Sequence, residues 1–94
     1  MSKVIDAAVA ALSAKSASFD AVAKFVIPGE GSIMLDEHGA RAGDAPADVT
    51  LTASSDVFQA MLAGDLSATT AFMTGKLAVD GSMGLAMKLG QVLS

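Results

Sequence analysis

The sequence predicts an α+β domain in which helices cover one face of a sheet. Three observations carry this expectation. Short runs that alternate apolar and polar residues fill the middle of the chain, bounded by Gly, Pro or Asp turns. Apolar residues recur at helical spacing at both ends and again from residues 54 to 73. The resulting order is helix, several strands, two helices, strand, helix, which is a layered fold of segregated elements.

At the N-terminus, Val4, Ile5, Ala8, Val9 and Leu12 fall on one side of a helix with Asp6 and Ser13 opposite, so residues 3–14 form an amphipathic first helix. From Ala21 to Ile27 the period changes to two, with Ala23, Phe25 and Ile27 on one face and Lys24 on the other. Pro28-Gly29-Glu30-Gly31 makes a turn, and Ile33 and Leu35 continue as a strand. Glu37-His38-Gly39 turns again, and residues 40–42 return. Three antiparallel strands thus follow one another by hairpins. After a loop at Gly43-Asp44-Ala45-Pro46, residues 48–53 alternate over their whole length.

Ser54 or Ser55 can cap the next helix, and Asp56 suits its first turn because a carboxylate there meets the positive end of the helix dipole. Phe58, Met61 and Leu62 are its apolar face. Gly64 ends it, Ser67 caps another through Ala71, Phe72 and Met73, and Gly75 ends that one. Residues 76–79 form the last strand with Leu77 and Val79 inward. Asp80-Gly81 turns the chain, and Ser82 caps a terminal helix.

The terminal helix is the most informative element. Successive residues lie about 100° apart, which sets Leu85, Leu89, Val92 and Leu93 on one face and Met83, Ala86, Met87 and Gly90 on another. Gly84, Lys88 and Gln91 form the one polar stripe between them. The first face packs on the body of the domain. The second is expected to need a cover other than the body of the domain.

Composition narrows the functional classes. The 94 residues are expected to form a single domain, residues 1–94, and 52% are hydrophobic, with six Met, no Trp and no Tyr. Mean hydropathy is +0.54. Unbranched thioethers adapt to irregular apolar surfaces. A formal net charge of -4 argues against nucleic acid, or an anionic membrane, being held by bulk electrostatics. Without cysteine there is no disulfide, thiolate nucleophile or thiolate metal site. Asp6 interrupts the apolar tract near the N-terminus, which spoils it as a signal peptide, and no tract approaches a membrane span. A cytoplasmic location is the expectation.

Lys24-Phe25-Val26-Ile27 with Gly29-Glu30-Gly31-Ser32, the Ala47-Asp48-Val49-Thr50-Leu51-Thr52 strand and the Phe58 helix recur in a known order with two further segments. These are Ala71-Phe72-Met73-Thr74-Gly75-Lys76-Leu77 and Ser82-Met83-Gly84-Leu85-Ala86-Met87-Lys88-Leu89. Taken together the chain resembles the sterol carrier protein 2 (SCP-2) family over nearly its whole length. The resemblance implies a five-stranded, mostly antiparallel sheet covered by helices. It also implies an apolar tunnel, closed by the terminal helix, for fatty acids, fatty acyl-CoAs, phospholipids, sterols or isoprenoid tails. Many relatives have glutamine where Thr74 and Gly90 stand. Gln91 is displaced by one position, or about 100° of helix, so a generic acyl chain is a better expectation than a sterol. The sequence lacks the Ser-Lys-Leu type of peroxisomal ending.

On this reading Met83, Ala86, Met87 and Gly90 line the lipid space, with Phe58, Met61, Leu62, Phe72, Met73 and Leu77 as further walls. No residue is assigned a catalytic or metal-binding role, and no cofactor is expected. His38, the only histidine, sits in a turn beside Asp36 and Glu37, and the carboxylates fall at turns and helix starts where capping explains them. The expected activity is non-enzymatic lipid binding and transfer by a monomer that makes transient contact with membranes or lipid enzymes. The alternative is an accessory module, for example in quinone biosynthesis, whose apolar terminal helix docks on a protein partner or a second copy.

Overall fold

The alternating runs of the middle of the chain assemble into one five-stranded sheet in the computed structural model, which describes residues 3–14 and 19–93. Its strands are β1 (Ala23–Ile27), β2 (Gly31–Asp36), β3 (Gly39–Ala42), β4 (Val49–Ala53) and β5 (Leu77–Gly81), in the order β3-β2-β1-β4-β5. The helices are α1 (Lys3–Ala14), α2 (Ser55–Ala63), α3 (Ala68–Met73) and α4 (Met83–Leu93). The hairpins β1–β2 and β2–β3 are antiparallel, as is β4–β5, whereas β1 and β4 run parallel. The sheet is therefore mixed but mostly antiparallel.

Register places one apolar row across the sheet, since directly paired residues share a face. Ile33 lies opposite Phe25, Phe25 beside Leu51, and Leu51 opposite Val79. All four helices cover this face. α1 lies over β2 and β3 and touches α2, while α3 and α4 lie over β4 and β5. Under α1 and α2 the filling is complete. Leu12, Ile27, Ile33 and Leu35 are fully buried, and the rings of Phe25 and Phe58 meet at a centroid distance of 5.1 Å, a spacing at which tilted aromatic pairs attract.

Asp48 fixes the parallel seam. Its carboxylate Oδ2 accepts from the Val22 amide at 3.0 Å, and its own amide donates to the Val22 carbonyl at 2.8 Å. β5 continues through Asp80 and Gly81, two residues beyond the expected strand, because these residues pair with Thr50 and Val49. On the opposite sheet face Met34 is buried beside the Gly43 loop, and the Lys24 ammonium bonds Asp44 at 2.9 Å. The side chains of Val92 and Leu93 lie outside the described residues.

Candidate functional site

A cavity of about 440 Å³ opens between α3 and α4 above β4 and β5. Its floor is the end of the apolar row, Leu51 and Val79, with Leu77 beside them. One wall comes from Met61 and Gly64 of the α2 end, Leu66 and Ser67 of the connection, and Ala68, Thr69 and Phe72 of α3. The other is the Met83, Ala86, Met87 and Gly90 face of α4, with Gln91.

Local chemistry sets both walls. The Ser67 hydroxyl accepts from the Thr70 amide at 3.0 Å and donates to the Thr70 hydroxyl at 2.8 Å, so its proton is committed to the start of α3. Thr74 turns its hydroxyl back to the α3 carbonyls of Thr70 and Ala71 and does not line the cavity. At the start of α4 the Ser82 hydroxyl accepts from the Leu85 amide at 3.3 Å, the capping geometry that satisfies an otherwise orphaned donor. α3 and α4 approach most closely where Gly90 faces Ala68. A Cβ at position 90 would stand 3.3 Å from the Ala68 Cβ, so a larger residue there would part the two walls.

Two sides of α4 do different work. Leu89 is 0% exposed and sits in the core. Met87, two residues earlier, is 70% exposed and lines the cavity, as do Met83 at 47% and Phe72 at 43%. Residues that line a cavity and also meet solvent stand at its mouth.

Of the residues expected to form the lipid space, Met61, Phe72, Leu77, Met83, Ala86, Met87 and Gly90 line the cavity. Phe58 and Leu62 are buried and Met73 is 79% exposed, and none of these three lines it. Sequence reasoning did not select Leu51, Leu66 or Gln91. Leu51 could have been found from its place on the apolar face of β4, and Gln91 shares the lining with Gly90 despite its rotation.

No titratable side chain lines the cavity, and no polar or charged residue is buried among the described residues. Those residues include no cluster of three or more His, Asp or Glu able to hold a metal, and no helix long and apolar enough to cross a membrane. His38 is exposed in its turn, where its amide donates to Asp36 Oδ1 at 2.8 Å. That bond, followed by the one from Arg41, holds the Asp36 carboxyl below its usual value. Lys88 points away from the cavity lining and pairs with Asp20.

This arrangement of sheet, helices and cavity has counterparts. A family model described as the SCP-2 sterol transfer family matches residues 3–94. The chain belongs to that family. Hydroxysteroid dehydrogenase-like protein 2 of Xenopus laevis is 38% identical over 84 residues, covering 81% of this chain and 20% of that protein. The chain spans a fifth or less of the length of the first curated relatives that it matches. Among solved SCP-2 structures, the apo sterol carrier protein 2 from Yarrowia lipolytica superposes with a TM-score of 0.69 at 28% identity, covering 98% of this chain and 75% of that one. The Aedes aegypti sterol carrier protein-2, solved in complex with the C16 fatty acid palmitate, gives 0.77 at 24% identity, covering 100% and 97%. The SCP-2 family is one of lipid binding and transfer, and the cavity lies in the half of the fold that α3 and α4 cover.

Proposed function

We propose that this SCP-2 domain is a non-enzymatic carrier that holds a long acyl tail in the cavity between α3 and α4. The observation that carries the reading is the lining itself: about 440 Å³ of space with mostly apolar walls, no titratable side chain and methionines at the mouth. Such a volume falls within the ordinary range of ligand sites, about 300 to 1,000 Å³. A lining of this kind can shelter methylenes, but it offers no titratable acid or base to activate the Ser67 or Thr69 hydroxyl for covalent chemistry. That the Aedes aegypti relative was solved with palmitate supports an acyl chain as the ligand class.

Magnitudes agree with a carrier. About fifteen buried methylenes at about 0.8 kcal/mol each bring about 12 kcal/mol. Lost freedom on association returns at least about 4 kcal/mol. At most about 8 kcal/mol remains, which corresponds to a dissociation constant that is micromolar at its tightest, loose enough to deliver.

Native mass spectrometry of protein purified without detergent tests this directly. A non-covalent adduct of lipid mass that organic extraction removes is the expected result. Bare protein that takes up no palmitate on incubation would contradict it.

A further inference from the structure

The side chains around the cavity mouth share a property that tail shelter alone does not require. Phe72, Met73, Met83 and Met87 are the exposed large hydrophobic residues among the described residues, and all four lie on α3 and α4. Met73 is the most exposed and does not line the cavity. It therefore contributes nothing to holding a tail, and its place next to Phe72 extends the apolar rim outward. Contiguous apolar surface of this kind marks a contact with something less polar than water.

Charge identifies what the rim meets. Residues 1–65 carry nine acidic and four basic side chains, a balance of -5, whereas residues 66–94 carry one acidic and two basic, a balance of +1, and the two sum to -4. The single acid of the second segment, Asp80, is one residue from Val79 on β5. Strand alternation turns it to the sheet face opposite the cavity. Lys76 follows Met73 by three residues and is exposed, with no ion pair to a carboxylate among the described residues. Lys88 stands on α4 beside Met87, its charge met by Asp20. The rim thus combines apolar side chains and the available ammonium of Lys76 with two carboxylates, Asp65 in the connection between Gly64 and Leu66 and Asp20 paired to Lys88, so that its charges balance while the rest of the molecule is acidic.

A phospholipid surface matches this pattern. Apolar side chains enter the acyl boundary, and a flexible lysine keeps its ammonium at the level of the phosphates. We propose that the α3–α4 rim docks on neutral phospholipid bilayers, so that the cavity mouth opens directly onto the acyl region and a tail passes between bilayer and cavity without crossing water. This rests on the carrier reading for its purpose but not for its test. The acidic remainder sets the preference for zwitterionic over anionic membrane, because one unpaired lysine cannot offset repulsion of the whole.

Flotation with phosphatidylcholine vesicles tests the proposal, alongside titration of free fluorescent fatty acid in vesicle-free buffer. The wild-type protein floats with the vesicles. Met73→Glu loses at least about tenfold in partitioning, because an inserted thioether becomes a charge, and Met73→Leu floats like the wild type. All three bind free fatty acid equally, since residue 73 does not line the cavity. Replacing half of the phosphatidylcholine with phosphatidylserine weakens flotation. Absence of wild-type flotation, or Met73→Glu that floats unchanged, overturns the docking surface, and intact fatty acid titration would then leave the carrier reading standing. Rim-dependent self-association without flotation also overturns it, by assigning the surface to a second copy. Loss of fatty acid binding with flotation retained overturns the carrier reading instead.

Discussion

The ammonium of Lys88 lies 2.6 Å from a carboxylate oxygen of Asp20, joining α4 to the segment before β1 across 68 residues of sequence. The hydrogen bond from Lys88, then its charge, hold the Asp20 carboxyl below its usual value. A carboxyl depressed in the folded state stabilises above its unfolded pKa, and that contribution is lost as pH falls through the folded value. Asp20→Asn is therefore expected to melt slightly below wild type at neutral pH. The gap closes as pH is lowered through the carboxylate range, because the wild type then loses the same pair. Thermal melts across that range check this, and a gap independent of pH would contradict it. High salt shrinks the gap, since both groups are exposed.

Gly81 joins β5 to the start of α4 at a point where a side chain has no room. Its φ is +106°, and a Cβ there would stand 2.5 Å from the Asp48 carbonyl oxygen and 3.1 Å from the Val49 Cα. Gly81→Ala is expected to cost about 2 to 3 kcal/mol, combining backbone strain with a backbone contact that cannot yield. Gly29 has φ +82° but nothing within 4 Å of a built Cβ, so Gly29→Ala costs only about 1 kcal/mol. Urea unfolding of the pair separates conformational strain from crowding. Equal losses would mean that the Asp48 contact relaxes freely.

Met87 and Leu89 test the division of α4 between mouth and core. Met87→Glu leaves the carboxylate in water and changes stability by no more than about 0.5 kcal/mol. It weakens tail binding about tenfold by replacing an apolar wall with a charge. Leu89→Ala empties a fully buried position and costs about 2 to 5 kcal/mol, while the folded fraction still binds the tail. Equal destabilisation by both would place Met87 in the core, and unchanged binding in Met87→Glu would remove it from the site.

The sequence made the elements legible where a period was long enough to read. The α4 faces followed from helical spacing, and the Ser67, Gly64 and Ser82 boundaries followed from capping chemistry. The parallel pairing of β1 with β4 was not legible, because a period of two reports which face a residue takes and not the direction of its neighbour. Within the cavity, Met83, Ala86, Met87 and Gly90 could be named as one helical face. On α2 the same logic selected Phe58, Met61 and Leu62 together, yet only Met61 reaches the cavity, since Phe58 is engaged by Phe25. Leu66 lies in a short connection that has no period to read. Met34 is buried on the polar-patterned sheet face because the Gly43 loop lies against it, a long-range contact that local alternation does not encode.

Titration of the delipidated protein with a fluorescent long-chain fatty acid, repeated at low and high salt, measures tail burial most directly. One-site saturation with a micromolar dissociation constant is expected, nearly unchanged by salt because no charged side chain lines the cavity. Folded protein that shows no saturable binding, or affinity that falls steeply with salt, would contradict a cavity that works by sheltering the tail.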